Sequence, residues 1–338
     1  MKGSSKPKAL VTGAAGFIGS NLSRELLRQG FDVRALVRKE SNRRNLEGLG
    51  IELAFGDLRD VESLGRALDG CEVLFHTAAL YSFWVPQPGV MYEINVKGTE
   101  NILRAALRKG IKKVVYTSTE STIGIDEKTG LGKEELFASP EELTNHYKRS
   151  KFLAERAALQ MSQEGLPVVV VNPTAPVGPY DIKPTPTGRF VLSFLNRKLP
   201  AYVNTGLNLV SVEDVARGHI LALEKGRVGE RYILGHENLT FREILAMLSW
   251  LTGIKPPRVR IPFFLALAMG YLSEFLVGRV GRKTPWITAE AVKAGKQFRF
   301  FDCSKATREL GFNPMPVEEG LEKEVKWFKE NGYVHPEH

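Results

Sequence analysis

The sequence predicts an α/β fold, in which a doubly wound parallel sheet is followed by a smaller α/β C-terminal region. Two observations predict the sheet. Short apolar strands alternate with amphipathic helices over the first half of the chain, which is the pattern of βαβ units. The first strand also runs directly into a glycine turn and a helix. With 338 residues and 43% hydrophobic content, the chain can bury one large core or two moderate ones.

The glycine turn lies in "KALVTGAAGFIGSNLSRELL", between an apolar strand and a helix predicted from Ser20 to Arg28. Gly13 can take the backbone angles of a tight turn, and Gly16 lets the main chain approach a pyrophosphate at the positive end of the helix. Gly19 lets the helix pack close to the sheet. The spacing is G-x-x-G-x-x-G, so a turn without a ligand is the alternative. Together with the motifs below, it predicts a Rossmann-type sheet that binds a dinucleotide.

The second strand, "FDVRALVRK", ends at Arg38, about 20 positions after the glycines. In dinucleotide-binding units an acidic residue at this place binds the ribose hydroxyls, whereas an arginine accommodates a 2′-phosphate. Arg38 is followed by Lys39, Arg43 and Arg44, and a carboxylate is absent from this place. The sequence therefore favours NADP(H) over NAD(H). A solvated basic loop is the alternative.

The next two strands end in residues suited to a flat cofactor. Asp57, after "IELAFG", can accept a hydrogen bond from an adenine amino group. The fourth strand, "EVLFHTAAL", ends in Thr77, Ala78 and Ala79, whose small side chains leave room in the crevice where such sheets bind ligands. His76 has no metal-binding partner nearby in sequence, so we interpret it as a buried structural residue.

A hydroxyl cluster and a Tyr/Lys pair follow. The fifth strand, "KKVVYTSTESTIG", presents Ser118 and Thr119 at its end. Tyr147 and Lys151 in "NHYKRSKFLAERAALQ" are four residues apart on a predicted helix, so they share one face. A single Y-x-x-x-K is common, but after a hydroxyl-bearing strand end and this glycine turn it indicates a catalytic pair.

These motifs together resemble the extended short-chain dehydrogenase/reductase superfamily over essentially the whole chain. Within it, "VRALVRK", "VVVVNPTAPVGP" and "YKRSK" resemble the dihydroflavonol 4-reductase branch. "NHYKRSKFLAE", "DIKPTPTGR" and "LPAYVNTGLNLV" are similar to the bacterial hopanoid-associated sugar epimerase family. The resemblance implies that Thr119, Tyr147 and Lys151 are catalytic, with threonine in place of the usual serine and Ser118 as its competitor. It implies a cofactor site formed by Gly13, Ala15, Gly16, Phe17, Ile18, Arg38, Asp57, Leu58, Thr77, Ala78, Ala79, Ser118, Tyr147, Lys151, Asn172, Pro173 and Thr174.

In this scheme Tyr147 carries the proton, Lys151 lowers the tyrosine pKa and holds the nicotinamide ribose, and Thr119 hydrogen-bonds the substrate oxygen. The favoured function is an NADP(H)-dependent oxidoreductase that transfers hydride between nicotinamide and a carbonyl or secondary alcohol of a small molecule. The first alternative is a nucleotide-sugar epimerase or dehydratase, which needs cations for a diphosphate, with Arg189 and Arg217 as candidates. The second is a non-catalytic dinucleotide-binding regulator, which usually lacks the Tyr or the Lys; both are present here.

The two regions are predicted to interleave. Residues 1–175 form the NADP-binding domain, and residues 205–230 return to it because "VSVEDVARGHILALEKG" reads as one of its helices. Residues 176–204 and 231–338 then form the substrate-binding region, in which short strands and helices alternate. Thr240 and Glu243 form a capping box at the start of one helix.

Composition excludes several other classes. The formal charge of +9 is spread along the chain without a nucleic-acid motif, so nucleic-acid binding is not expected. Cys71 and Cys303 are too few for a disulfide framework and lack metal-ligand spacing, which fits a reducing cytoplasm. We expect no bound metal, no signal peptide and no transmembrane segment. The apolar run at residues 263–277 is predicted to be a buried helix, with a membrane-surface helix as the alternative.

A homodimer is predicted from the resemblance, because related enzymes pair two helices across a two-fold axis. The helices are Val90 to Lys109, which also carries Asn95 as a structural residue, and the helix of Tyr147. Their apolar residues occupy more surface than one core-facing stripe needs: Met91, Ile94, Leu103, Leu107, Phe152, Leu153, Ala157 and Leu159. A monomer that buries them all is the alternative.

Overall fold

The computed structural model describes residues 7–81, 87–273, 292–293 and 298–334. The apolar run at residues 263–277 therefore lies partly outside the described residues. The strands are β1 (Lys8–Thr12), β2 (Asp32–Val37), β3 (Glu52–Phe55), β4 (Val73–His76), β5 (Lys113–Thr117), β6 (Ile123–Ile125), β7 (Gly132–Phe137), β8 (Val168–Pro173), β9 (Ala175–Val177), β10 (Ala201–Tyr202), β11 (Gly206–Ser211), β12 (Arg231–Leu234), β13 (Glu237–Thr240) and β14 (Val259–Arg260). The helices are α1 (Phe17–Arg28), α2 (Val61–Leu68), α3 (Pro88–Tyr92), α4 (Gly98–Arg108), α5 (His146–Gln163), α6 (Pro186–Leu195), α7 (Val212–Lys225), α8 (Phe241–Thr252), α9 (Phe263–Ser273), α10 (Ser304–Leu310) and α11 (Val317–Glu330).

The central sheet has seven strands in the order β12-β8-β5-β4-β1-β2-β3, and every neighbouring pair is parallel. Helices α1 and α7 cover one face, where Leu22 and Val215 join the core. Helices α2, α4 and α5 cover the other face, with Ile102 and Ala154 in a second core. Strand order reverses between β1 and β4, so their carboxyl ends open the crevice where doubly wound sheets bind ligands. The predicted fold class is confirmed.

The second region packs beside this sheet. Strands β9, β11 and β13 form a three-stranded sheet, and β10 pairs with β14. Helices α6, α8 and α11 enclose its core around Phe194, Leu245 and Phe328. Strand β12 pairs with β8 and completes the central sheet, and Leu310 of α10 joins the core beneath α7. The boundary drawn at residue 230 is thus too early, because β12 comes directly after it.

Two helices differ from their predicted bounds. Helix α1 begins at Phe17 rather than at Ser20, because Gly16, which is extended, is its N-cap. The predicted helix from Val90 to Lys109 is divided into α3, a π-helical turn at Glu93–Lys97 and α4. The wide turn places the Asn95 side chain inward, toward α5.

Helix α9 is not buried, in contrast to the prediction. Phe264 is 72% exposed and Leu272 58%, while only Ala266, Gly270 and Ser273 are buried. Composition could not predict this exposure, because an apolar sequence can form either a core helix or a surface helix. Nowhere in the described ranges does a helix have the length and apolar character needed to cross a bilayer.

The eight residues cited for a dimer differ in exposure, and four of them are half-buried: Ile94, Phe152, Ala157 and Leu159. Met91 and Leu103 are completely buried within the chain, so they contribute nothing to an outer surface. Leu107 on α4 and Leu153 on α5 are 38% and 47% exposed, and these two helices pack against each other. A smaller exposed apolar surface than predicted therefore remains available to a second copy of the chain.

Candidate active site

The glycine turn is shaped so that two of its glycines cannot carry a side chain. Gly13 has φ +68°, and a Cβ there would lie 2.8 Å from the backbone of Ala78. A Cβ at Gly19 would lie 2.3 Å from the Gly13 carbonyl oxygen. The turn thus brings the start of α1 close to the ends of β1 and β4, where the first amides of the helix lack intrahelical acceptors. This cradle fits the pyrophosphate of a dinucleotide. Ala15, Phe17 and Ile18 line it and are half-buried.

Charged groups flank the far end of this crevice. Arg38 follows β2 and is exposed, and its guanidinium has no ion pair with any described residue. Asp57 follows β3, and both of its carboxylate oxygens accept from the Arg59 side chain, at 2.9 and 2.8 Å. Arg59, assisted by Arg38, lowers the pKa of Asp57 to about 2, so this carboxylate stays ionised. Leu58 is buried, with its Cβ packed against Gly98 of α4.

The end of β4 is held by a buried hydrogen-bond chain. His76 Nδ1 lies 2.7 Å from Thr12 Oγ1, and His76 Nε2 lies 3.0 Å from Thr99 Oγ1. Burial lowers the pKa of His76 to about 3, so the ring is neutral. The Thr77 hydroxyl donates to the Thr12 carbonyl, at 2.7 Å. These bonds fix the two strand ends next to the cradle, and the structural interpretation of His76 is confirmed.

The structure brings Thr119, Tyr147 and Lys151 to the carboxyl end of β5. Thr119 precedes a short 3-10 turn, where its hydroxyl accepts from the Ser121 amide, and it forms a hydroxyl pair with the nearby phenol of Tyr147, whose pKa it lowers. Tyr147 lies in the first turn of α5, which Asn145 caps by accepting from the Lys148 amide. Ser118 is not in this hydroxyl pair; its Oγ is buried and lacks a partner among the described residues. Thr119 is thus better placed than Ser118 to share a substrate oxygen with Tyr147, and Ser118 Oγ is left for another ligand.

Lys151 is held by the sheet. Its ammonium donates to Tyr116 Oη and to the Thr117 carbonyl, both at 2.8 Å, and is 3% exposed. Burial lowers the pKa of Lys151 to about 7, while Glu155 acts to raise it. Burial and the Glu120 carboxylate raise the pKa of Tyr147, against a smaller lowering by Thr119. The chain by itself therefore does not lower the tyrosine pKa, and a lowering by Lys151 together with a positively charged nicotinamide stays a prediction.

A buried ion pair beneath these residues was missed. Arg231 Nε of β12 lies 2.8 Å from Glu155 Oε1 of α5, with both side chains almost fully buried. Glu155 Oε2 accepts from Asn172 Nδ2 at 2.8 Å and from the Thr122 hydroxyl at 2.6 Å. Asn172 also donates to the Thr119 carbonyl, at 3.0 Å. One signal was available in the sequence, since Glu155 follows Tyr147 and Lys151 at steps of four along the buried face of α5.

The residues predicted to bind cofactor at the end of β8 make hydrogen bonds or strand pairs within the protein. The Asn172 amide supports the Thr119 loop, and the Thr174 amide donates to the Leu234 carbonyl, at 3.1 Å. Pro173 pairs with Leu234 in the sheet. Contact between these three residues and a nicotinamide stays a prediction.

A second missed pair lies next to the hydroxyls. Glu120 follows Thr119, and its carboxylate accepts from Arg299 Nη2 at 2.6 Å. Arg299 belongs to the C-terminal region, so that region reaches the catalytic loop. Tyr81 stacks on Tyr147, with ring centroids 4.6 Å apart. The side of the site away from the sheet is therefore aromatic and ionic.

Asn95 holds the loop that precedes Tyr81. Its Oδ1 accepts from the Leu80 amide at 2.7 Å, and its Nδ2 donates to the Leu80 carbonyl at 3.1 Å and to Ser150 Oγ at 2.9 Å. The π-helical turn directs this side chain between the loop and α5. These contacts support the structural interpretation of Asn95.

A glycine cradle at a strand switch point and a Thr/Tyr/Lys cluster at the same sheet edge define an NAD(P)-dependent enzyme of the extended short-chain dehydrogenase/reductase type. The chain belongs to the NAD dependent epimerase/dehydratase family, whose model matches residues 9–235. The hopanoid-associated branch stays a prediction.

Relatives cover nearly the whole chain. A Synechocystis sp. protein provisionally named dihydroflavonol 4-reductase is 46% identical over 329 residues, covering 96% of this chain and 95% of the relative. Sterol demethylase protein B of Methylococcus capsulatus is 37% identical, covering 96% and 99%. The crystal structure of the dTDP-glucose 4,6-dehydratase DesIV from Streptomyces venezuelae, with NAD bound, is 27% identical with a TM-score of 0.78, covering 97% and 99%. The resemblance to the superfamily is confirmed.

Proposed function

We propose that this protein is an NADP(H)-dependent oxidoreductase that transfers hydride between nicotinamide and a carbonyl or secondary alcohol of a small molecule. The observation that carries the proposal is the hydroxyl pair of Thr119 and Tyr147 beside the buried ammonium of Lys151. This group lies at the sheet edge that carries the glycine cradle, where the reactive end of a dinucleotide would be held. The reductase name of the Synechocystis relative supports the proposal.

A bound nicotinamide supplies or accepts the hydride. Thr119 donates a hydrogen bond that holds the substrate oxygen next to the Tyr147 phenol. Because burial raises the pKa of Tyr147, the phenol is neutral near pH 7 and can donate its proton to the oxygen of a carbonyl that is being reduced. Lys151, whose pKa burial lowers to about 7, supplies a positive charge below neutral pH, and we assign it the ribose of the bound cofactor.

The preference for NADP(H) follows from the charges beyond β2. A 2′-phosphate at this place would meet Arg38, which has no ion pair with any described residue, and a ribose that needs an acidic acceptor would meet the same arginine instead of a carboxylate. Asp57, the carboxylate that follows β3, is ion-paired with the Arg59 side chain through both of its oxygens. NAD(H) is the less favoured cofactor.

An epimerase is supported less well by the same contacts. A nucleotide diphosphate needs more than one free cation, but the Arg217 guanidinium is paired with Asp214, which leaves Arg189 as the one candidate without an ion pair to a described residue. Net consumption of NADPH separates the two functions, since an epimerase returns the hydride to its substrate.

The test combines cofactor and turnover measurements. Purified protein is analysed for bound nucleotide, and NADPH oxidation is followed with ketones, aldehydes and nucleotide sugars. Tyr147→Phe is expected to lower kcat about a hundredfold or more and to leave the Kd for NADPH nearly unchanged. Tyr92→Phe is the matched control. The Tyr92 hydroxyl is bonded to His146, the neighbour of Tyr147 on α5, but is outside the pair formed by Thr119 and Tyr147. Wild-type kcat in Tyr147→Phe, or inversion of a nucleotide sugar without net NADPH oxidation, would contradict the proposal.

A further inference from the structure

The C-terminal region exposes a group of large apolar side chains on α9. This α9 surface consists of Phe264, Leu265, Met269, Tyr271 and Leu272, all of which are exposed. Soluble proteins rarely leave so many neighbouring apolar side chains in water unless they meet a partner or a membrane. The helix has 11 residues, which gives a length of roughly 16 Å and allows it to lie on a bilayer but not to cross one.

Positive charge lies beside this surface. Lys255, Arg258 and Arg260 precede α9, and all three are exposed. Within the ranges that the structure describes, none of them forms an ion pair, so their charge is available to an outside partner. The sequence from Ile244 to Ser273 contains no Asp or Glu.

The charge pattern extends beyond α9. Residues 244–298 contain eight Lys or Arg and two Glu, so this stretch holds a surplus of six of the chain's formal +9. An apolar surface next to unpaired cations is complementary to an anionic bilayer, where the apolar groups enter the interface and the cations meet headgroups. A second copy of the chain fits less well, since a self-contact would bring two such positive surpluses together.

We propose that the α9 surface, together with Lys255, Arg258 and Arg260, binds the surface of an anionic lipid bilayer. Phe264 and Leu272 enter the acyl boundary, and the three cations stay at the headgroups. The attachment is peripheral and salt-sensitive, because exposed charge attraction is screened over about 8 Å at physiological ionic strength. This proposal does not depend on the reaction that the active site performs.

The experiment is co-sedimentation of the full chain with vesicles of phosphatidylcholine alone and of phosphatidylcholine with phosphatidylglycerol. We expect binding to the mixed vesicles that weakens with salt, and binding to the neutral vesicles that is weaker by roughly a hundredfold, at about fivefold for each of three cations. Phe264→Ser with Leu272→Ser is expected to weaken binding more than tenfold. Val228→Ser, which removes an apolar side chain that is 51% exposed in a loop, is the control.

A charge variant tests the same surface independently. Arg258→Gln with Arg260→Gln is expected to lower affinity for the mixed vesicles about 25-fold, whereas Arg104→Gln with Arg108→Gln on α4 leaves it unchanged. Circular dichroism verifies that each variant is folded. Equal binding to neutral and mixed vesicles, no binding to either, or equal binding by the apolar variant and Val228→Ser would overturn the proposal. It would also be overturned if light scattering showed an oligomer that the apolar variant dissociates, because the α9 surface would then be a self-interface.

Discussion

Replacement of Glu155 by Gln is expected to lower the pKa of Lys151 and to move the alkaline limb of activity toward acid pH. Glu155 lies one helical turn after Lys151, and its charge raises the Lys151 pKa against the larger effect of burial. Side chains four apart on a helix lie roughly 6 Å from each other, so the attraction is about 3 kcal/mol at an effective dielectric constant of 20. This equals about two pKa units. Arg231, 2.8 Å from the same carboxylate, offsets part of it, so we expect a shift of about one unit.

The assay is the pH profile of kcat/KM for carbonyl reduction between pH 5 and 9. With the Lys151 pKa at about 7, wild-type activity falls above neutrality, because the ammonium is lost. In Glu155→Gln the fall begins about one unit lower, so the variant loses about eightfold at pH 7.5 and almost nothing at pH 5. Glu164→Gln at the end of the same helix is the control, since Glu164 bonds only the exposed Gln160. An equal loss at every pH would refute the electrostatic reasoning and leave Glu155 as a packing residue alone.

Three further predictions concern cofactor choice, stability and assembly. Arg38→Asp is expected to reverse the preference for NADP(H) over NAD(H), and equal wild-type affinities for the two in calorimetry would exclude the assigned role. Burial raises the pKa of Asp181 from 3.8 to about 6, so its stabilising contribution is complete below pH 4 and is lost as pH rises through 6. The unfolding free energy of wild type minus that of Asp181→Asn should therefore fall by about 2.4 kcal/mol between pH 4 and 7 in urea titrations; a constant difference would contradict this. Leu153→Glu, which places a charge on the exposed apolar surface of α5, is expected to convert a homodimer into monomers in light scattering, and a wild-type mass of 37.6 kDa at micromolar concentration would rule the dimer out.

The sequence predicted the parts of the site that depend on local spacing. Gly13 and Gly19 are set by the geometry of a single strand-turn-helix unit, and Tyr147 and Lys151 by one turn of a helix. The rise in the Tyr147 pKa within the protein alone was not predicted, because the effect of burial depends on neighbours that are distant in sequence. The Glu155 to Arg231 pair could not be predicted for the same reason, since it joins a helix of the first region to a strand 76 residues later in the chain.

Local sequence patterns also could not predict where β12 and α9 lie within the fold. Strand β12 is short, and its position in the central sheet depends on its pairing with β8. Helix α9 reads as a core helix by composition, yet Phe264 faces solvent. Hydrophobicity indicates that a surface must be covered, but not whether protein or some other apolar phase covers it.

The position of β12 in the central sheet limits where the chain can be cut into fragments that fold. A fragment that stops at residue 175 would retain the glycine cradle and Tyr147, but β8, which begins with four valines, would become an edge strand. An unpaired apolar edge of this kind pairs with other chains, so the fragment should aggregate rather than serve as an independent nucleotide carrier. The same cut removes Arg231 and leaves the Glu155 carboxylate buried without its cation. A crossover with a relative should therefore lie after α10. The part before the crossover then contains β12, the helix α10 that covers it, and both members of the Glu155–Arg231 pair.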